Sequence, residues 1–105
     1  MALKWPDKDP DETLDFSVDW SRYLDDDLIS TVTWKIEDTD GTLNTWVDAE
    51  VVNSLQRISA SNTNTVATIQ IGLGDANTTY TIYCAITTNG GLSTQRKILL
   101  KVRER

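Results

Sequence analysis

The sequence contains no histidine and only one cysteine, Cys84, among its 105 residues. Without histidine, the chain lacks the commonest general base and the commonest metal ligand of enzymes. A lone thiol excludes an internal disulfide, and in an apolar alternating segment it is expected to be a small buried side chain. No apolar run approaches the ~20 residues that a membrane-spanning helix needs. The composition therefore predicts a protein that is not an enzyme, has no cofactor and has no membrane partner.

One acidic pattern raises the question of a metal site. Asp7, Asp9 and Asp11 have the spacing of the first ligands of a calcium-binding loop. The sixth position of such a loop is glycine and the twelfth is glutamate, but this chain has Glu12 and Val18 there. We therefore expect a solvated acidic segment rather than a metal site.

The net charge of −6 is distributed unevenly along the chain. Residues 1–27 hold nine acidic and three basic side chains, whereas the remainder holds seven of each and places five bases in its last ten residues. An acidic start and a basic end suit self-assembly or docking, and they equally serve solubility. The overall negative charge argues against a nucleic-acid partner, which requires a basic surface.

Apolar and polar residues alternate with a period of two in most of the chain, which is typical of β-strands. Turn signals separate these segments, most clearly at 38–41 and 89–91, where glycine permits a positive φ. A helical turn is predicted only around 21–27 or 49–53. About seven strands are predicted, in segments 14–20, 31–36, 43–47, 55–60, 67–73, 80–87 and 97–103.

Short strands at regular spacing without helical crossovers predict an all-β, Ig-like antiparallel β-sandwich. Tyr80, at the start of a strand after a loop, has the position of a tyrosine corner, in which the hydroxyl bonds back to the loop backbone. Trp34 occupies a strand in which sandwich domains often bury a tryptophan, and Trp46 is equally compatible with core or surface. The side chains predicted to form the structural core are Phe16, Trp20, Trp34 and Tyr80.

The charged opening lies outside any strong periodicity. It predicts an extended acidic N-terminal docking arm at residues 1–12, followed by the sandwich domain at residues 13–105. The Trp5 indole either folds back onto the sandwich or is an exposed anchor for a pocket of a partner. The candidate docking residues are Trp5, Pro6, Asp7, Asp9, Asp11 and Glu12.

The same opening carries a family resemblance. Trp5-Pro6, Lys8 through Glu12, Asp15-Phe16 and Asp19-Trp20-Ser21 follow the order W-P-x-K-D-P-D-E-x-x-D-[FY]-x-x-D-W-S. This order resembles that of small accessory proteins of tailed bacteriophages, described as fibre–tail adaptor or neck proteins with an Ig-like domain. Further matching features are Leu24, Asp27, Ile29, Trp34, the segment 74–81, Ile86 through Gly91 and the basic-apolar last strand 96–102.

The resemblance implies a non-enzymatic structural protein of the virion, assembled in the host cytoplasm, that docks a fibre or neighbouring virion proteins at the neck or tail. Its expected partners are other virion proteins within a symmetric multimeric assembly. Two alternatives remain open at this point, namely a capsid decoration protein and a carbohydrate-binding surface domain.

Overall fold

A computed structural model describes residues 3–104, so that the first two residues of the predicted arm and Arg105 lie outside the described residues. The described chain is mostly strand, with one four-residue helix. The elements are β1 (Leu3–Lys4), β2 (Leu14–Asp19), α1 (Ser21–Leu24), β3 (Ile29–Glu37), β4 (Leu43–Thr45), β5 (Val51–Val52), β6 (Leu55–Asn62), β7 (Val66–Leu73), β8 (Thr78–Thr88) and β9 (Ser93–Val102).

The strands form two sheets that pack as a sandwich. The five-stranded sheet has the order β1-β9-β8-β3-β4, and the four-stranded sheet has the order β2-β7-β6-β5. All neighbouring strands are antiparallel except β1 and β9, which pair in parallel with Leu3 opposite Ile98. The prediction of an all-β sandwich is confirmed.

The period-two pattern explains which side chains form the core. In β8, every second residue from Tyr80 to Thr88 is buried, and in β2 the buried positions are Phe16 and Val18. The buried residues of both sheets form one hydrophobic cluster between them. Trp46, for which the sequence left two options, is fully buried. Phe16, Trp20, Trp34 and Tyr80 also lie in this cluster.

Each of the seven predicted segments contains a strand, and β1 and β5 are two-residue additions. The helical turn forms at α1, whereas the alternative place, 49–53, contains β5 and its turn.

The two predicted turns, at 38–41 and 89–91, are both present and closed by backbone hydrogen bonds. Gly41 has φ of 85° and donates its backbone N–H to Asp38 O at 2.9 Å. At the β8–β9 hairpin, the Thr88 N–H donates to Leu92 O at 2.8 Å.

The Tyr80 hydroxyl makes the bonds expected of a tyrosine corner. It accepts a hydrogen bond from the Asp75 backbone N–H at 2.9 Å and donates one to Asn53 O at 2.6 Å. Burial raises the pKa of Tyr80 above its ordinary value. The hydroxyl therefore ties the β7–β8 loop to the β5–β6 turn at one end of the sandwich.

Candidate docking surfaces

The N-terminal segment is attached to the sandwich along β9. Beyond the β1–β9 pair, the Trp5 N–H donates to Leu99 O and the Lys8 N–H donates to Lys101 O, each at 3.0 Å. The Arg103 N–H donates in turn to Lys8 O at 2.8 Å. Residues 3–8 therefore run as an additional edge along β9 and have a fixed position relative to the sheet.

The Trp5 side chain fills the open edge of the sandwich. Its ring stacks on Phe16 with centroids 4.7 Å apart and planes 20° apart, and its centroid lies 6.0 Å from that of Trp34. The indole N–H donates to Ser17 O at 3.1 Å, and the residue is 5% exposed. Of the two options that the sequence left for Trp5, the structure therefore has the one in which the indole folds back onto the sandwich.

Lys8 is a buried cation that the sequence pattern did not reveal. The residue is fully buried, and its ammonium donates to Leu73 O at 2.5 Å and to Asp9 O at 2.8 Å. Burial lowers the pKa of Lys8, while the negative charges of Glu12, Asp9 and Asp11 act in the opposite direction. The only available signal was a single lysine within a run of acidic residues, a pattern that usually indicates a solvated surface. Its side chain ties the arm to the end of β7.

Residues 9–12 form a compact acidic turn. The Asp9 N–H donates to the Glu12 carboxylate at 2.8 Å, and the Asp11 N–H donates to the Asp9 carboxylate at 2.9 Å. The Glu12 N–H closes the turn on Asp9 O at 3.0 Å. Asp11 is exposed, and Asp9 and Glu12 are half-buried. The turn therefore presents carboxylate oxygens to solvent from a backbone that its own side chains hold in place.

Next to this turn, the arm forms an ion pair with the end of the chain. The Asp7 carboxylate lies 3.0 Å from Arg103 Nε, and Pro6 beside it is exposed. Of the six predicted docking residues, five are thus at least partly accessible to a partner, and the sixth, Trp5, lies in the core. The structure brings Asp7, Asp9, Asp11 and Glu12 into one segment along the edge at β9.

A second set of polar contacts joins the β2–β3 loop to the β8–β9 hairpin. The Asp27 carboxylate accepts hydrogen bonds from the Gly90 N–H at 3.0 Å and from the Leu28 N–H at 2.8 Å. Hydrogen bonds, foremost that of the Thr88 hydroxyl, lower the pKa of Asp27. A Cβ at position 90 would lie 2.6 Å from an Asp27 carboxylate oxygen, so a side chain there would displace this carboxylate from its hydrogen bonds. Asp27 therefore connects the β2–β3 loop to the β8–β9 hairpin.

Cys84 is the only cysteine of the sequence. Cys84 is buried, and burial raises the pKa of its thiol to about 11, so it is not a thiolate nucleophile at neutral pH. Within residues 3–104, no three His, Cys, Asp or Glu side chains are grouped so that they could hold a metal ion. None of the helices in that range is long and apolar enough to cross a membrane.

The comparison with protein families shows which family the chain belongs to. A family model described as podophage GP4 fiber-tail adaptor protein gp77 matches residues 8–101. The chain belongs to this family. The match begins at the buried lysine and extends through the acidic turn and nearly to the end of β9. The predicted resemblance to phage fibre–tail adaptors is confirmed, and the family is one of structural tail proteins of the virion. No curated protein matches the chain.

Proposed function

We propose that this chain is a non-enzymatic adaptor that docks a fibre or a neighbouring virion protein at the neck or tail of a podophage particle. The observation that carries the proposal is the family match over residues 8–101. The absence of histidine and the buried, protonated Cys84 thiol support a role without catalysis. A sandwich that needs no disulfide also suits assembly in the reducing cytoplasm of the host.

The docking contacts are assigned in this proposal to the accessible part of the arm at residues 1–12. Pro6 and Asp11 are exposed and Asp7, Asp9 and Glu12 are half-buried, so the four carboxylates are at least partly accessible to a basic surface. In this proposal Trp5 does not contact the partner. Its buried ring packs on Phe16 and so holds the arm against the sandwich domain at residues 13–105. Because the backbone of residues 5–8 is hydrogen-bonded to β9, the partner binds a preformed surface. Docking therefore does not lose the conformational entropy that ordering a flexible arm would cost.

We further propose that the sandwich is Ig-like. Its four-stranded sheet places β2, β7 and β6 in the order of strands B, E and D of Ig domains, and β3, β8 and β9 correspond to strands C, F and G. The tyrosine corner at Tyr80, at the start of the strand corresponding to F, supports this assignment.

Particles of the phage made without this chain test the adaptor function. We expect heads that are filled and tails that are assembled, but without fibres, because an adaptor is needed only where the fibre joins. Electron microscopy of the purified particles measures this. Fibres that remain attached would contradict the proposal, and heads that lose DNA or break would instead support the capsid decoration function.

The contribution of the arm is tested by charge reversal at its exposed carboxylate. Asp11→Lys is expected to lower fibre attachment severalfold, because it places a positive charge where a basic partner surface is proposed. Asp26→Lys is the matched control, since Asp26 is an exposed carboxylate in the β2–β3 loop, away from the arm. Equal fibre attachment in the two variants would contradict docking through the arm.

A further inference from the structure

The solvent-facing side of the five-stranded sheet is basic, although the chain as a whole is acidic. Ile98, Leu100 and Val102 of β9 are buried, so the intervening side chains project to the outer face. The same alternation identifies the outward-facing residues of the other strands of this sheet. Among the described residues of these strands, Glu37 is the only acidic one that faces outward. The lysines of this outer face are Lys4, Lys35, Lys97 and Lys101.

Among residues 3–104, no carboxylate lies within salt-bridge distance of these ammonium groups. The salt bridges among residues 3–104 join Arg57 to Asp48 and Arg103 to Asp7. On the outer face, Tyr83 is opposite Lys97 on one side and opposite Lys35 on the other. The face therefore has a tyrosine between two lysines, an arrangement that combines positive charge with an aromatic contact surface.

The complementary surface is the outward side of β2 in the other sheet. Phe16 and Val18 point inward, so Asp15, Ser17 and Asp19 point outward. The Ser17 hydroxyl is bonded to that of Thr68 at 3.1 Å, and β2 has no basic residue. This edge strand therefore carries two carboxylates and no compensating charge of its own.

The two surfaces also match in spacing. Asp15 and Asp19 are four residues apart along β2, and Lys97 and Lys101 are four residues apart along β9. At about 3.3 Å per residue, each pair spans about 13 Å. Two carboxylates and two ammonium groups with the same spacing can form two charge pairs when the outward side of β2 of one molecule packs face to face on β9 of another, whose two edges are already paired with β1 and β8.

We propose that the basic outer face of the five-stranded sheet binds the acidic β2 strand of a second copy of this chain. The contact uses different surfaces of the two copies, so it repeats from copy to copy and produces a ring or a filament. Nucleic acid is the less suitable occupant, because the chain has a net charge of −6. The proposal goes beyond the adaptor function and does not depend on it.

Sedimentation velocity of the purified full chain tests this contact. We expect association that grows with protein concentration at low salt, and that needs about tenfold more protein at 0.5 M salt because the charge pairs are screened. Two variants interrupt the contact from opposite sides. One is Lys97→Glu with Lys101→Glu, and the other is Asp15→Lys with Asp19→Asn, where asparagine keeps an acceptor for the Ser21 N–H.

Each of these variants alone is expected to sediment as a monomer, whereas an equimolar mixture of the two associates again, because each supplies the charge that the other lacks. The control reverses two charges between β2 and β3, outside both proposed surfaces, with Arg22→Glu and Asp26→Lys. This variant should associate like the wild type. Matching thermal unfolding shows that each variant is folded.

A monomeric wild type at all concentrations would overturn the proposal, and so would association that the two variants or salt leave unchanged. A mixture that stays monomeric would also overturn it. Binding of duplex DNA by the wild type, lost in the Lys97→Glu, Lys101→Glu variant, would assign the face to nucleic acid instead. These readouts concern the isolated chain, so their failure leaves the fibre attachment experiment unaffected.

Discussion

At the scale of single residues, two side chains of the acidic opening connect the arm to the fold. Trp5 closes the edge of the core against Phe16, and Lys8 brings a positive charge under the acidic turn, where two backbone carbonyls accept its hydrogen bonds. A buried ammonium is stable only when such acceptors and nearby carboxylates compensate for lost hydration. The carboxylates of Asp9, Asp11 and Glu12, which we assign to docking, therefore also favour the charged form of Lys8.

Replacement of Trp5 by alanine should destabilise the sandwich itself. We expect the free energy of unfolding to fall by about 3–5 kcal/mol, the usual cost of removing a large buried aromatic ring. Urea unfolding followed by far-UV circular dichroism measures it. Leu92→Ala is the control, because Leu92 is 57% exposed and its loss should change stability by less than about 0.5 kcal/mol. Equal stability of the two variants would show that the Trp5 ring is not part of the core.

Replacement of Tyr80 by phenylalanine isolates the role of its hydroxyl. The ring remains buried, but the Asp75 N–H and Asn53 O lose their partner, so we expect unfolding to become easier by about 1–3 kcal/mol. Thermal and urea unfolding measure this loss. Tyr83→Phe on the outer face provides the comparison, and a loss of the same size there would contradict the corner assignment.

The residues that the sequence could reveal are those whose role is local. The burial of Phe16 and Trp34 follows from strict alternation with polar neighbours, and the corner role of Tyr80 follows from its place after a loop. The positions of Trp5 and Lys8 depend on a parallel pairing between the two ends of the chain. No periodicity within residues 1–12 records that pairing, so the sequence left Trp5 undecided and gave no indication that Lys8 is buried.

At the scale of elements, length decided which strands could be predicted. The seven predicted segments have enough residues for alternation to show, or a turn signal that delimits them. β1 and β5 are two residues long, and alternation cannot be recognised over two positions. β1 exists because β9 offers it a partner, which is a property of the tertiary structure.

The junction between the β2–β3 loop and the β8–β9 hairpin should depend on pH. Because the folded-state pKa of Asp27 is lowered, its contribution to stability is present above the unfolded value of about 3.9 and is lost as the pH falls through the folded value. Asp27→Asn should therefore melt below the wild type at pH 5–7, and the difference should shrink below about pH 3.9.

Differential scanning calorimetry of both proteins between pH 2.5 and 7 measures that difference. Asp26→Asn, a change at the exposed neighbouring carboxylate, is the control and should melt with the wild type throughout. A difference between wild type and Asp27→Asn that stays constant down to pH 2.5 would contradict the role of the charged carboxylate.

At the scale of the whole molecule, charge is separated between surfaces while the core is held by one apolar cluster. The five-stranded sheet shows lysines, and β2 and the arm show carboxylates. Such a division costs little stability, because exposed charges contribute little to folding. It gives a small domain directional contacts, as a component placed between other virion proteins needs.

The copy number in the particle tests the central claim most directly. Quantitative mass spectrometry of purified particles of the phage that encodes this chain gives its molar ratio to the major capsid protein. We expect a ratio of a few per cent or less, since an adaptor occupies only the single tail vertex with its cyclic symmetry. A ratio near one, or a simple fraction of it, would contradict the adaptor function and indicate capsid decoration, and complete absence would contradict any structural role in the virion.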